Sequence, residues 1–317
     1  MANQEVFMAY TKEELNNLGI TDSSDARQKV VDLSLFDNIG SISLSDKTKR
    51  DIDYTKDIYV EYLQKLSEFK ERIIERILKT LMGTETIDNH FLERENINLL
   101  MDYSETHYST AIRYLVKKLI TENQPLNDQI IKKTHEILMR GTSNASEISS
   151  GYRSSNNHYV GYVENGERII NYLPISHQDI KEAMQIFFSY YDANITSELE
   201  VFTKPFIIHG LLAALQVFAD GNTRMARTLQ YVKLQTLTNE IIVPESNLKL
   251  FELPAIYFSK NYLPYRYEYR KLIEEIALNP RSEKWNRWIE FNLHRMQERI
   301  YAMDNSMMIL CRKTTKR

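Results

Sequence analysis

Cysteine is almost missing from this sequence, since Cys311 is the only one among 317 residues. A lone cysteine excludes an internal disulfide, and such usage suits a reducing compartment. Glycine and proline are also scarce, with 9 and 7 residues, so the chain has few positions that interrupt regular structure. We therefore expect long regular elements and a cytoplasmic protein.

An excess of charge of one sign is lacking as well, because 40 basic residues face 43 acidic ones and leave a net charge of -3. No overall field favours nucleic acid, so DNA or RNA binding is not expected. No stretch reaches the roughly 18 consecutive apolar residues of a membrane span, and the N-terminus lacks the pattern of a signal peptide. Neither export nor membrane insertion is expected.

Apolar residues at three-to-four spacing run through most of the chain and predict a mostly helical protein. Between Tyr54 and Leu81, for example, Ile58, Tyr62 and Leu66 share one face with charges opposite, which predicts one long amphipathic helix. Further helices are expected at about 91–101, 106–121, 126–139, 176–192, 204–217, 224–238, 260–276 and 283–303. The organisation that we expect is an N-terminal extension at 1–50, N-terminal helices at 51–125, a core at 126–240 and C-terminal helices at 241–317.

One segment favours strands instead. Asn165 and Gly166 separate two β-prone runs, and Asn-Gly at such a position predicts a tight β-hairpin turn. The hairpin is either a plain surface excursion or a flap that pairs its edge with an extended partner segment. Hairpin geometry alone favours the first interpretation. The side chains that would form the flap are Tyr162, Val163, Ile169 and Ile170.

The segment "KPFIIHGLLAALQVF" is apolar nearly all round and predicts a central buried helix, which Asp220-Gly221-Asn222 interrupts. Glycine permits conformations closed to other residues, so backbone N–H groups here could turn inward and bind an anion. A second helix begins at about Arg224, where the N-terminal amides, Arg224 and Arg227 would all favour a phosphate group. Asp220 could hold Mg²⁺ beside that phosphate.

The same stretch also has an ordinary interpretation. Here it is a helix-to-helix turn with Asp220 as a cap and with Arg224 and Arg227 solvated or ion-paired. Spacing alone favours this interpretation, because such turns and arginine pairs are common. His135 and His209 are similarly interpreted as core histidines rather than metal ligands.

A family resemblance changes the balance. "FADGNTRMAR", residues 218–227, resembles the motif HxFx(D/E)GNGRxxR of the Fic family, whose domains have the Fido fold. "PLNDQIIKKTHEILMRG", "SGYRSSNNHYVGY" and "INYLPISHQDIKEAM" resemble, in order, the family's helix ahead of the flap, the flap region and the helix after it. The resemblance covers about residues 80 to 300 and implies an all-α, Fido-type helical bundle with one β-hairpin flap.

Fic proteins typically transfer AMP from ATP to a hydroxyl group of a protein. The resemblance therefore implies Mg²⁺ and ATP as cofactors, a nucleotide and a hydroxyl-bearing protein target as partners, and leaves self-association into a homo-oligomer open. It implies that Asp220 binds the metal and that Phe218 anchors the loop in the core. The phosphate-binding residues that it implies are Gly221, Asn222, Thr223, Arg224 and Arg227.

This chain departs from the family motif at three positions, which include that of the catalytic histidine. The family's catalytic histidine falls on Gln216, the next proline on Val217 and the glycine after the asparagine on Thr223. A glutamine amide accepts a hydrogen bond but is not a base near neutral pH. Losing a general base costs about 10²- to 10⁴-fold, or roughly 3 to 5.5 kcal/mol of barrier. Thr223 is expected to restrict the loop and to add bulk near the anion.

The segment "TETIDN" resembles the family's inhibitory motif (S/T)xxxE(G/N), in which the acid pairs with the second motif arginine. The inhibitory residues would be Thr84, Asp88 and Asn89, with Asp88 as the acid and Arg227 as its partner. The alternative is a plain helix N-terminus capped by Thr84 or Thr86.

Three hypotheses follow. The first is a Fic protein that binds a nucleotide or a protein but transfers AMP poorly. The second is an enzyme with altered chemistry that uses Asp88 or a substrate group as the base. The third is an all-helical interaction scaffold that no longer binds phosphate.

Overall fold

The computed structural model describes residues 10–20, 29–37, 39–93, 104–140, 151–164, 166–195, 197–246, 251 and 253–314. Within these ranges helices dominate and the strands form one two-stranded sheet, which confirms the expected all-α class. The α-helices are α1 Lys12–Asn17, α2 Asp46–Ser67, α3 Glu71–Glu93, α4 Ser104–Leu115, α5 Asp128–Met139, α6 Ile180–Asp192, α7 Glu200–Leu215, α8 Asn222–Leu237, α9 Val243–Ser246, α10 Ser259–Tyr262, α11 Arg266–Leu278 and α12 Ser282–Thr314.

Shorter helical turns extend or connect these elements. The π-helical turn Val116–Thr121 continues α4, and a second π-helical turn, Thr238–Ile242, continues α8. The 3-10 helices are Leu33–Phe36 in the N-terminal part and Leu263–Tyr265 before α11. No helix within the described residues is both long enough and apolar enough to cross a bilayer.

The predicted long helix from Tyr54 to Leu81 is wrong in its bounds, because the structure divides it into α2 and α3. Helix α2 begins earlier, where the Ser45 hydroxyl accepts a hydrogen bond from Thr48 N. It ends at Ser67, beyond which Phe69 N donates to the Leu66 carbonyl over 3.3 Å, three residues back instead of four. The sequence pattern missed this break because apolar residues continue on both sides of it.

Helix α3 also contradicts the alternative in which Thr84 or Thr86 caps a helix. Both residues lie well inside α3, which runs from Glu71 to Glu93. Their hydroxyls donate back to the Leu81 and Met82 carbonyls, as threonine does in a helix interior. The helix predicted at 91–101 falls mostly on 94–103, which lie outside the described residues.

Helix α7 is the centre of the protein, as its uniform apolarity predicts, because every residue from Val201 to Leu215 is buried. Gly210 allows the closest packing on this helix. A Cβ atom at Gly210 would lie 2.7 Å from Ile276 Cδ1 and 2.8 Å from the Trp285 ring, so α11 and α12 could not approach as they do. Helices α7 and α8 pack against each other and carry the loop between them at residues 216–221.

The predicted β-hairpin is confirmed as β1, Val160–Glu164, and β2, Glu167–Tyr172, which pair antiparallel. Asn165 in its turn lies outside the described residues, and Gly166 has the positive φ of +84° that the turn requires. The N-terminal segment reaches the end of the hairpin, where Val31 N donates to the Leu173 carbonyl over 3.0 Å. The Tyr10 hydroxyl donates to the Pro174 carbonyl over 2.7 Å and adds a second tie.

Candidate phosphate-binding site

The loop between α7 and α8 begins with a residue in an unfavourable backbone conformation. Gln216 has φ 51° and ψ 53°, the left-handed region, which costs a residue with a side chain roughly 1–2 kcal/mol. Two hydrogen bonds hold it there. Its Nε2 donates to the Ala213 carbonyl over 2.7 Å, and Arg153 Nε donates to the Gln216 carbonyl over 2.8 Å.

Asn222 closes the loop from within. Its Nδ2 donates to the Phe218 carbonyl over 2.8 Å, while its Oδ1 accepts from Phe218 N over 2.8 Å. The same Nδ2 lies 3.0 Å from Gln216 Oε1 and donates to it. The Gln216 amide is therefore engaged at both ends, as a donor to the end of α7 and as an acceptor from Asn222.

Gly221 meets two constraints that only glycine satisfies together. Its φ is +77°, and a Cβ atom at this position would lie 2.4 Å from Met139 Sδ. Helix α5 presses on the loop through His135 as well, whose Nε2 is 2.8 Å from the Asp220 carbonyl oxygen. The His135 ring stacks on Phe218 with centroids 3.8 Å apart, so Phe218 anchors the loop in the core as expected.

His135 and His209 are both fully buried core residues, as the sequence interpretation predicts. Burial lowers the pKa of His135 to about 4, so its ring is neutral at physiological pH and Nε2–H is the donor to the Asp220 carbonyl. Burial also lowers the pKa of His209 well below its usual value. Both histidines are structural in this arrangement.

The motif's acid and its first arginine face each other. Arg224 Nη2 lies 3.3 Å from Asp220 Oδ2, and the Arg224 side chain is 4% exposed whereas that of Asp220 is 40% exposed. Asp220 Oδ1 also accepts from Gly221 N over 2.5 Å. The carboxylate of Asp220 therefore interacts with a backbone amide of the loop and with the first arginine. The expectation that these arginines are solvated is wrong, and the ion-paired alternative holds for Arg224.

The second arginine, Arg227, is completely buried. Its Nε donates to Asn89 Oδ1 on α3 over 2.6 Å, and its Nη1 donates to the Tyr269 hydroxyl over 3.3 Å. That hydroxyl is in turn 2.8 Å from His209 Nε2. Arg227 thus joins α3, α8 and α11 beneath the loop.

The predicted ion pair between Asp88 and Arg227 is not among the contacts of the described residues, and Asn89 takes this place. Burial raises the pKa of Asp88, and the charges of Arg299 and Lys260 oppose this shift. The cations that act on Asp88 are therefore these two residues and not Arg227. Successive residues of a helix point about 100° apart, so Asp88 and Asn89 cannot both face α8. The segment was identified correctly as the one that meets Arg227, but the contacting residue is its neighbour.

A buried acid that the sequence analysis missed supports Asn89. Glu85 is 1% exposed, and its Oε1 accepts from Asn89 Nδ2 over 2.8 Å. The Ser259 hydroxyl also donates to this carboxylate, and Ser259 N donates to Oε2 over 3.2 Å. Burial raises the pKa of Glu85 to about 7, although the hydrogen bonds from Ser259 and the charge of Arg227 oppose the shift. Because Glu85 holds the amide end of Asn89, the oxygen end faces Arg227.

Arg153 is the other residue that sequence reasoning did not single out. It is 5% exposed and, besides holding Gln216, its N donates to the Val217 carbonyl over 3.0 Å and its Nη2 donates to the Ile175 carbonyl. It thereby links the loop to the segment after β2. The resemblance of "SGYRSSN" to the family's segment was the one feature of the sequence that pointed to Arg153. No feature of the sequence pointed to Glu85, because an acidic residue on a charged helix is ordinary.

The β-hairpin, which is the candidate flap, lies beside the loop. At its end, the Tyr172 hydroxyl donates to the Ala213 carbonyl over 3.3 Å, one turn before Gln216. Tyr162 is 52% exposed on β1, whereas Ile169 and Ile170 on β2 are half-buried, and the Val163 side chain lies outside the described residues. Thr223 lies in the first turn of α8, and its effect on a bound anion stays a prediction.

Comparison with known proteins shows which family model and which folds this chain resembles. Residues 125–234 match the model of the Fic/DOC family. The fold is similar to that of a Fic family protein from Desulfovibrio desulfuricans G20, with a TM-score of 0.57 and 14% identity over 83% of this chain and 76% of that chain. It is also similar to Fic-1 from C. elegans, with a TM-score of 0.50 and 16% identity over 81% of this chain and 73% of that chain. No curated protein matches the sequence.

Proposed function

Since the chain belongs to the Fic/DOC family through its domain at residues 125–234 and has the Fido fold, we propose that it binds the phosphates of a nucleotide, ATP in the first place, but transfers AMP poorly. Its acceptor would be a hydroxyl group of a protein. The proposal rests on the pair of arginines at the start of α8 and on the glutamine that ends α7.

The arginine pair supports phosphate binding. Arg224 and Arg227 both lie in the first two turns of α8, whose N-terminal amides and dipole favour an anion. Both guanidinium groups are buried, at 3% and 0% exposure, where charges interact more strongly than in water. Gly221 lets α5 pack closely on the loop beside this end of α8, because a Cβ atom there would lie 2.4 Å from Met139 Sδ.

Asp220 fits a metal that accompanies the nucleotide. Among the described residues no group of three or more acids, histidines or cysteines could hold a metal ion by itself. Mg²⁺ often binds through one or two carboxylates together with substrate phosphates, and the partly exposed Asp220 can supply one. When bound there, Mg²⁺ would neutralise phosphate charge. To reach it, Asp220 must leave Arg224, so phosphate and metal would replace an interaction that the protein now makes with itself.

The Gln216 amide explains the impaired transfer. It has no basic atom, and its oxygen already accepts from Asn222 over 3.0 Å. The residues that remain, Asp220 and the two arginines, position the phosphates and balance their charge, which is a large part of catalysis in phosphoryl-type transfer. We therefore expect binding to survive better than transfer.

The first test is calorimetric titration with Mg-ATP of the wild-type protein and of Arg224→Gln. We expect saturable binding that Arg224→Gln weakens about tenfold or more, because a hydrogen bond between charged groups is lost. The control is Arg281→Gln, which removes an exposed cation between α11 and α12. The same titration is repeated with Asn89→Ala, which removes the hydrogen-bond acceptor of Arg227. Absence of binding by both the wild type and Asn89→Ala would overturn the proposal.

The second test is Gln216→His with labelled ATP and a cell extract as the source of acceptor proteins. Restoring a base should raise label transfer by about 10²-fold or more relative to the wild type. Equal transfer by both proteins, with ATP still bound, would mean that this residue does not explain the low activity.

The alternative is an interaction scaffold that does not bind a nucleotide. One observation favours it, namely that the groups expected to bind phosphate already have partners within the protein. Asp220 accepts a hydrogen bond from Gly221 N and pairs with Arg224, and Asn89 accepts a hydrogen bond from Arg227. A scaffold of this kind would show no effect of Mg-ATP on its thermal unfolding, whereas a ligand at 100 times its Kd stabilises by about 2.7 kcal/mol.

A further inference from the structure

Glu85 is a buried carboxyl group that takes no part in the transfer reaction proposed above. It lies on α3, is 1% exposed, and is joined to Arg227 of α8 through the side chain of Asn89. Arg227 has 0% exposure, and its charge acts on Glu85. When Glu85 is ionised, the two opposite charges compensate each other inside the protein. When Glu85 is protonated, the guanidinium keeps its charge without this compensation.

The hydrogen bonds around Glu85 fit both of its protonation states. Its Oε1 accepts from Asn89 Nδ2 over 2.8 Å and from the Ser259 hydroxyl, and its Oε2 accepts from Ser259 N over 3.2 Å. A protonated carboxyl group is itself a donor and needs an acceptor. The Ser259 hydroxyl can become that acceptor, because it lies 3.0 Å from the Tyr231 hydroxyl and either of these two groups can donate to the other.

The groups that face Glu85 place its protonation within the physiological pH range. Burial raises its pKa to about 7, the charge of Asp88 adds to this effect, and the hydrogen bonds from Ser259 and the charge of Arg227 oppose it. Burial also raises the pKa values of the tyrosines that interact with Glu85, so they stay neutral between pH 5 and 8. These tyrosines are Tyr108 on α4, Tyr231 on α8, Tyr257 ahead of α10 and Tyr262 on α10.

We propose that protonation of Glu85 regulates the affinity of the loop for the phosphates of a nucleotide, so that the nucleotide binds with uptake of a proton from solvent. Because it concerns the affinity of the same loop, this regulation rests on the proposed function. The ionised carboxylate opposes binding in two ways. Its charge compensates that of Arg227, and its hydrogen bond with Asn89 Nδ2 keeps Asn89 Oδ1 on the guanidinium.

Protonation weakens both effects. A buried cation without a compensating charge attracts an anion more strongly, since charges interact strongly inside a protein. By linkage, a bound phosphate in turn favours the neutral form of Glu85. The affinity for the nucleotide should therefore be highest where Glu85 is protonated and should fall as the pH rises through the range in which it ionises.

The test is calorimetric titration with Mg-ATP at pH 7.5 in buffers that differ in their enthalpy of ionisation, since the heat then reports the number of protons taken up. We expect the wild type to take up about half a proton more per nucleotide than Glu85→Gln does. The difference between these proteins isolates Glu85, because ATP and the histidines are the same in both. Glu75→Gln, which changes an exposed acid on the same helix, is the matched control and should keep the uptake of the wild type.

The pH dependence of the affinity gives a second measurement. Relative to Glu85→Gln, the wild-type affinity for Mg-ATP should fall about fivefold between pH 6 and 8. Ser259→Ala should move this fall to higher pH, because the Ser259 hydroxyl lowers the pKa of Glu85 by its hydrogen bond. Circular dichroism verifies that each variant is folded.

The outcomes separate this regulation from the function on which it rests. Absence of Mg-ATP binding by both the wild type and Asn89→Ala would overturn both. Binding with equal proton uptake by the wild type and folded Glu85→Gln would overturn the regulation alone, as would uptake that is lost in Asp88→Asn and kept in Glu85→Gln. If Glu85→Gln does not fold, Ser259→Ala decides, and an unaltered pH dependence in that variant would overturn the regulation.

Discussion

Arg227 Nε donates a hydrogen bond to Asn89 Oδ1 over 2.6 Å, and this contact ties the second motif arginine to α3. The partner is an amide, where the sequence motif led us to expect the carboxylate of Asp88. A neutral acceptor holds the guanidinium by geometry rather than by net charge. The contact should therefore be less sensitive to salt than an ion pair would be.

Asn89→Ala removes this acceptor, and it also removes the hydrogen bond that Asn89 Nδ2 donates to Glu85. We expect the free energy of unfolding to fall by about 1–3 kcal/mol, because the buried guanidinium loses a partner. Urea unfolding followed by circular dichroism measures this. The neighbouring Asp88→Asn, which leaves Arg227 untouched, should change stability much less; if both variants lost the same stability, the Asn89 contact would not be the cause.

Glu85 should make stability depend on pH. Its pKa in the folded protein is about 7 against an ordinary value of 4.5, so between these values the folded state binds a proton that the unfolded state has released. The contribution of Glu85 to the free energy of unfolding should therefore decrease as the pH rises from about 5 to 8, by on the order of 2–3 kcal/mol, whereas His135 and His209 contribute an opposite slope below pH 6.5. Urea unfolding across this range measures the Glu85 effect as the difference between the wild type and Glu85→Gln, because both proteins keep the histidines.

A control separates Glu85 from acids in general. Glu75 lies on the same helix but is exposed, and its hydrogen bond with Lys79 lowers its pKa, so it does not titrate between pH 5 and 8. Glu75→Gln should keep the slope of the wild type. A wild-type slope that Glu85→Gln leaves unaltered would assign the pH dependence to another group.

Gly221→Ala should be strongly destabilising. A Cβ atom would approach Met139 Sδ to 2.4 Å, and a φ of +77° costs an alanine roughly 1 kcal/mol or more by itself. We expect a loss of about 2–4 kcal/mol in thermal or urea unfolding, since overpacking adds to the backbone strain. Gly151→Ala is the matched control, because nothing lies within 4 Å of its added Cβ. Equal stability of the two variants would contradict the packing described for the loop.

His135 should stay neutral through the physiological range. With its pKa at about 4 in the folded protein, its ring carbons should show no titration between pH 5 and 8 in NMR spectra. The unfolded state takes up this proton near pH 6.5, so His135 should lower stability as the pH falls from 6.5 towards 4. A midpoint between pH 6 and 7 would show that the ring is not enclosed between Phe218 and the loop.

The helical class, the buried α7 and the hairpin could be predicted from the sequence because each depends on local pattern: apolar periodicity, uniform apolarity and an Asn-Gly turn. The break between α2 and α3 could not, because the apolar pattern continues across Ser67. Asp220, Gly221, Arg224 and Arg227 were found together for the same local reason, since all four lie within eight consecutive residues.

The sequence by itself determined that a glycine-containing loop enters a helix with two arginines and that a glutamine stands where the Fic motif, which the sequence resembles, has a histidine. Only the tertiary structure decided what those groups contact. Asn89, Glu85 and Arg153 acquire their roles from residues distant in the chain, as in the 138-residue separation between Asn89 and Arg227. Packing between distant segments decides which side of a helix meets a partner. It also decides whether a buried charge lies beside a hydrogen-bond acceptor, and no local sequence pattern encodes this.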